Sequence, residues 1–158
     1  MILTICAGMF LVLVCIDLGI KQYIEDWFED HEERKTILPG VLLRKVYNTG
    51  FAFNFLERYP KIIGQSSIFC AIGILLYDFV VFLRKGRRIC KLGMTFVSAG
   101  AFSNVYDRLI REKVVDYIGV ESKHSYLSKL TANLADVYIV MGMILVSFSR
   151  MVHRKKKK

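Results

Sequence analysis

The sequence has little that would hold a metal or a disulfide framework. Its four cysteines, Cys6, Cys15, Cys70 and Cys90, follow no paired spacing, and three of them sit in apolar stretches. They read as small apolar residues or idle thiols. The three histidines, His31, His124 and His153, are far apart, and His31-Glu32-Glu33-Arg34 lacks the second histidine at i+4 that a zinc helix needs. No metal and no other cofactor is therefore expected. The N-terminus lacks the charged stretch that precedes the apolar part of a signal peptide. Val14, just before Cys15, is larger than the residue a lipoprotein cleavage site prefers. Residues 1–20 are accordingly read as a retained helix. There is no internal repeat, and no low-complexity stretch beyond the lysine run at 155–158.

What is present is apolar surface in blocks. Apolar residues make up 54% of the 158 residues, against roughly 45–50% in soluble domains. The length suits a single domain over 1–158. Four blocks, at about 2–20, 62–83, 89–109 and 132–152, approach the roughly 20 residues that a spanning helix requires. The net charge of +9 lies beside these blocks, in Arg84-Lys85-Gly86-Arg87-Arg88 with Lys91, and in Arg150, Arg154 and the final lysines. Topology explains such charge better than a nucleic-acid partner does. Both basic segments are predicted to be cytoplasmic, as are both termini, while 21–61 and 110–131 lie outside. The expected fold is an all-α membrane protein of four transmembrane helices with a small extracytoplasmic β-element.

The first outer segment carries two patterns. Ile20, Ile24, Trp27 and Phe28 recur at helical spacing, which predicts a helical extension at the interface with Trp27 at headgroup level. After Pro39-Gly40, residues 41–56 are β-branched and aromatic around Asn48-Thr49-Gly50, which predicts short strands about a turn.

Polar residues in spans are costly and each requires a reason. Asp17 and Lys21 share a face at i, i+4. Gly100, Asn104, Asp107 and Arg108 form a stripe that climbs to the outer end of the third span, and Asp116 follows after Val114-Val115. Asn133 and Asp136 share a face at the outer start of the fourth span. With Asn48, these groups come from four pieces of chain and map to one depth, which predicts a site there. Singly, each has a plainer reading. Asp17 and Lys21 make a local ion pair, Asp107 and Arg108 join helices, and Asn133 caps a helix whose dipole favours Asp136. Asp78, near the cytoplasmic end of its span beside Arg84 and Lys85, is read as structural.

These residues also carry a family resemblance. Asp17-Leu18-Gly19-Ile20-Lys21, Asn48-Thr49-Gly50-Phe51-Ala52-Phe53, Gly100-Ala101-Phe102-Ser103-Asn104-Val105-Tyr106-Asp107-Arg108 with Val114-Val115-Asp116-Tyr117, and Asn133-Leu134-Ala135-Asp136 resemble, in order, four motifs of the bacterial lipoprotein signal peptidases (signal peptidase II). The resemblance implies an intramembrane aspartyl endopeptidase of the bacterial cytoplasmic membrane, acting at its extracytoplasmic face. It implies cleavage of diacylglyceryl-modified prolipoproteins N-terminal to the lipidated cysteine, by a monomer working among membrane lipids. Asp116 and Asp136 would be catalytic. Asp17, Lys21, Asn48, Gly50, Gly100, Asn104, Asp107, Arg108, Asn133 and Ala135 would bind substrate or support the pair. The sequence departs from the family pattern at Ser103, usually Gly, at Tyr117, usually Phe, and at Ala132, usually Phe. Residues 121–129 are also more polar than usual. These departures surround the acids without removing them, and bear on substrate preference and efficiency more than on chemistry. Three other readings stand beside this one: a small four-span proton-coupled transporter built on Asp17, a non-catalytic relative, and a serine–lysine peptidase using Ser122 and Lys123.

Overall fold

A computed structural model describes residues 1–30, 32–50, 60–122, 124, 128 and 130–155. The second half of the predicted strand pair, from Phe51 on, lies outside the described residues, as do His31, Lys123 and the last three lysines. Four long helices run through the described residues: α1 (Ile2–Trp27), α2 (Pro60–Leu83), α3 (Arg88–Ile110) and α4 (Leu134–Lys155). A small antiparallel sheet of β1 (Glu33–Lys35), β2 (Val41–Asn48), β3 (Val114–Val120) and β4 (Thr131–Ala132) lies at one end, in the order β1-β2-β3-β4. The fold is thus multi-helical with a small sheet.

Three of the helices, α1, α2 and α4, are long and apolar enough to cross a membrane. The block predicted as the third span forms α3 but falls short on apolar character. The reason is its position. α1, α2 and α4 all pack on α3. Lys91, Thr95, Ser98, Ser103, Asn104 and Asp107 of α3 are buried in protein. A helix enclosed by other helices can carry polar groups that a lipid-facing helix cannot.

Small residues set the α3–α4 contact. A Cβ on Gly93 would lie 2.9 Å from the Gly142 carbonyl oxygen, and one on Gly142 would lie 2.5 Å from that of Gly93. Nearer the sheet, a Cβ on Gly100 would collide with the carbonyl of Ala135. The backbones meet because these side chains are missing, a packing mode suited to membrane helices. α2 is tied to α3 by Ser98, whose hydroxyl donates to Asp78. That contact, and none with Arg84 or Lys85, engages one oxygen of Asp78; the other is buried with no partner among the described residues. Cys90, beside the basic run at 84–91, is buried in the first turn of α3 against Val81 and Met94.

α1 is one continuous helix of 26 residues, or about 39 Å at 1.5 Å per residue, longer than the roughly 30 Å of a hydrocarbon core. Its last turns leave the bundle and enter the sheet. Ile24 and Phe28 pack on Val115 and Tyr117, with Ile20 against the same cluster. The predicted interfacial face is therefore mostly a protein core, and only Trp27, 67% exposed, remains outside it. The helix ends where cations meet its orphan carbonyls. Lys45 Nζ donates to Glu25 O and Phe28 O, and Arg34 Nη2 donates to Trp27 O.

β3 anchors the site, and the sequence reading did not identify it as a strand. It pairs with β2 through Leu43↔Ile118 and Val46↔Asp116. Between those pairs, two residues of β2, Arg44 and Lys45, oppose Tyr117 alone. This bulge re-aims side chains on both strands.

Candidate active site

The site assembles at the junction of sheet and bundle. In β3 successive side chains point to opposite faces. Asp116 opens on a cleft of about 360 Å³, whose lining includes Asn48, Asn104, Arg108, Asp116, Ala132 and Asp136. Tyr117 points the other way, into buried protein.

The two predicted catalytic acids meet through one residue. Asn133 is the N-cap of α4. Its Oδ1 accepts from the Asp136 backbone N–H at 3.0 Å, and its own N–H donates to Asp136 Oδ2 at 3.2 Å. This is a reciprocal capping box. The remaining arm of Asn133, Nδ2, donates to Asp116 Oδ1 at 2.7 Å. Asn133 is thus the cap of its plain reading and at the same time the residue that bridges the two carboxylates. Each carboxylate has a second amide donor: Asn48 Nδ2 to Asp116 Oδ2 at 3.0 Å, and Asn104 Nδ2 to Asp136 Oδ1 at 2.9 Å.

Asp116 is 2% exposed. Burial, and then the nearby Asp136 carboxylate, push its carboxyl up to about 6, against the opposing pull of Asn48, Asn133 and Lys21. Desolvation and a like charge act together in this direction.

Behind the pair lies a buried charge cluster. Lys21 Nζ is 2.9 Å from Asp17 Oδ2 and 3.0 Å from Asp107 Oδ2, and all three side chains are fully buried. Lys21 also donates to Asn104 Oδ1 at 3.0 Å. That bond fixes the Asn104 amide so that its nitrogen faces Asp136. Asp107 is completed by Arg111 at 2.6 Å and by the Val115 backbone N–H at 3.3 Å. Two acids and two bases balance, as a buried cluster requires. Asp17 and Lys21 are therefore the predicted ion pair, and they also reach the site. Both oxygens of Asp17 are engaged, which leaves little of the transporter reading that rested on this acid.

The plain reading holds for Asp107, which joins α3 to α1 through Lys21, while Arg108 turns to backbone carbonyls instead. Its Nη2 donates to Gly50 O at 3.0 Å and its Nη1 to Asn104 O at 3.4 Å. Gly50 N–H in turn donates to Asn48 Oδ1 at 2.9 Å, closing the turn after β2. Arg108 Nε is buried beside the cleft with no partner among the described residues. Gly100 lies against the carbonyl of Ala135, a close approach that sets the helix spacing on which the acids depend, and the Ala135 N–H donates to Asp17. Two further residues reach the buried cluster, Tyr117 and Ser103, both noted in the sequence only as departures. Their signal was a hydroxyl at a position that need not be polar.

Residues 9–152 match the model of a family described as Signal peptidase (SPase) II. The chain is similar to a lipoprotein signal peptidase of Mesorhizobium japonicum, with 29% identity over 88% of this chain and 80% of that one. It is similar to another from Fusobacterium nucleatum, with 28% identity over 95% and 88%. Its fold resembles that of a bacterial membrane enzyme solved by the in meso method at 2.3 Å, with a TM-score of 0.83, 20% identity and coverage of 98% of this chain and 92% of the other.

Proposed function

This chain belongs to the signal peptidase II family and is an aspartic endopeptidase of prolipoproteins; we propose that Asp116 and Asp136 are its catalytic pair. One observation carries the assignment: two carboxylates from different elements face one cleft and are joined through Asn133. Two such groups tend to share a proton. The ionised member takes a proton from water as the water oxygen attacks the scissile carbonyl carbon. The protonated member polarises the carbonyl oxygen, and a proton then passes to the departing amine. Burial favours Asp116 as the resting place of the shared proton, although the titration belongs to the pair. Asn48, Asn104 and Asn133 hold the carboxylates, and the Nε of Arg108, without a partner among the described residues, is available to a substrate carbonyl or phosphate.

The finer placement follows from the same reading. All four helices span the membrane, with α3 as the enclosed one. The sheet and cleft face the extracytoplasmic side, so the acyl chains of the substrate stay in lipid while its peptide reaches the pair. Cleavage falls N-terminal to the diacylglyceryl cysteine. The protein works as a monomer.

Asp116→Asn and Asp136→Asn test the pair. Each is expected to abolish the gel shift of a lipidated prolipoprotein while the protein accumulates and inserts normally. The double variant is expected to be little worse than either single one, since residues acting as a unit are non-additive. Substantial turnover by either single variant would falsify the assignment.

A further inference from the structure

Two hydroxyls stand where the sequence departs from its family pattern, and both converge on Asp17. Ser103 Oγ donates to Asp17 Oδ2 at 2.5 Å. Tyr117 Oη donates to Asp17 Oδ1 at 2.8 Å. The same Tyr117 oxygen accepts from the backbone N–H of Leu134 at 3.0 Å, and Asp17 Oδ1 accepts from that of Ala135 at 3.2 Å. Leu134 and Ala135 are the first two residues of α4. The first N–H groups of a helix have no partners inside it. Here the next two are satisfied by Asn133, through its side chain for Asp136 and its carbonyl for Val137. The start of α4 is therefore held by three residues: Tyr117, Asp17 and Asn133.

Tyr117 is the immediate neighbour of Asp116, and Leu134 lies two residues before Asp136. One hydroxyl thus links the strand carrying one acid to the helix carrying the other. We propose that Tyr117, backed by Ser103 through Asp17, is a positioning residue of the reaction, which sets the separation of the two carboxylates. This inference rests on the Asp116–Asp136 reading. Burial and then the Asp17 charge push the Tyr117 phenol well above its ordinary range, so it stays a neutral donor at working pH. The network has no slack. Lys21 and Ser103 hold one oxygen of Asp17, and Tyr117 and Ala135 hold the other.

Tyr117→Phe removes only the hydroxyl. The first turn of α4 then loses one bond, and Asp17 loses one donor. Asp136 and Asp116 move apart or admit water, and either change eases ionisation of the pair. The charged groups acting on Asp116 are Asp136 from α4, Lys21 from α1 and Arg108 from α3, with Asp17 and Asp107 behind them on Lys21. The substitution adds or removes none of these charges, so a changed titration reports geometry. With purified enzyme and lipidated prolipoprotein in detergent, kcat is expected to fall about tenfold with KM nearly unchanged. The alkaline limb of the pH–rate profile is expected to move down by roughly half a unit. A residue that merely fills the core would lower thermal stability and leave both readouts alone. A wild-type kcat and pH profile in Tyr117→Phe therefore overturns the proposal. If that variant does not fold, Ser103→Ala, which keeps Tyr117, is expected to move the same limb the same way, and a wild-type profile there overturns it instead. Turnover by Asp116→Asn would sink the catalytic pair itself. Inactive aspartate variants together with an unaltered Tyr117→Phe sink the positioning role alone.

Discussion

At the scale of single residues, Asp116 shows why the catalytic test is clean. A carboxyl held at about 6 rather than 3.8 carries a penalty of roughly 3 kcal/mol when ionised at neutral pH. Asp116→Asn relieves that penalty. It also turns one accepting oxygen into an NH2 group facing the amide of Asn48 or Asn133, at a cost of about 1–3 kcal/mol. The two effects nearly cancel, so lost turnover reports chemistry and not unfolding. The same raised value gives a pH prediction. On the proposed pairing, the two acids share one proton in the working state, and burial makes Asp116 the member that loses it late. Activity should therefore fall on the alkaline side, as pH rises through an apparent pKa near 6 in kcat/KM. Initial rates at subsaturating substrate across the range check this, and a rate flat through that region would place the shared proton on another group. Much of this site was legible in the sequence, because Asn104, Asp107 and Arg108 share a helical stripe and Asn133 and Asp136 share a turn. Tyr117 was not, because its partner Asp17 is 100 residues away and nothing local marks the bond.

At the scale of elements, Gly100 of α3 and Gly19 of α1 discriminate packing from mere tolerance. Gly100 lies against the Ala135 carbonyl and Ile139, at the turn of α4 that carries Asp136. Gly19, inside the Asp17–Lys21 motif, has open space where its Cβ would be. Gly100→Ala is expected to cost about 1–3 kcal/mol of stability through overpacking, and to lower kcat further by displacing the start of α4. Gly19→Ala is expected to be neutral or slightly stabilising, since Ala is the better helix former by up to about 1 kcal/mol. Thermal melts and turnover of both variants decide it, and equal effects would deny the seam its role. The helices themselves were legible from apolar blocks bounded by charge. The sheet was legible only in part. β2 announces itself by β-branched and aromatic residues, and the run from Val114 to Val120 offers a similar signal. β1, Glu33-Arg34-Lys35, has no apolar alternation, and none of its three residues is buried. It becomes a strand only because β2 offers partners, Glu33↔Arg44 and Lys35↔Leu42. The helical face at Ile24 and Phe28 was legible as apolar, but sequence periodicity does not distinguish lipid from a sheet as the surface that covers it.

At the scale of the whole molecule, charge is sorted between two ends. The end that carries the sheet contains both signs, and its cations are largely paired: Arg34 with Glu32, Lys35 with Glu121, Arg44 with Glu33, and Lys45 with Glu25 and Asp30. At the opposite end, the α2–α3 turn carries Arg84, Lys85, Arg87 and Arg88, none in an ion pair among the described residues. Residues 1–16 and 137–158 contain no acid at all. Unpaired cations beside spans are retained in the cytoplasm. The short turn at Arg84–Arg88 also requires α2 and α3 to run antiparallel, so the start of α2 lies at the sheet end with the cleft. This orientation predicts a labelling pattern. Leu38→Cys, in the exposed β1–β2 turn, and Lys85→Cys, in the exposed basic turn, would be made in a chain whose four native cysteines are replaced. A membrane-impermeant maleimide applied to intact spheroplasts is expected to label Leu38→Cys, and to label Lys85→Cys only after permeabilisation. Labelling at position 85 in intact spheroplasts would reverse the molecule. The cleft would then open to the cytoplasm, away from the face where its lipidated substrate is expected.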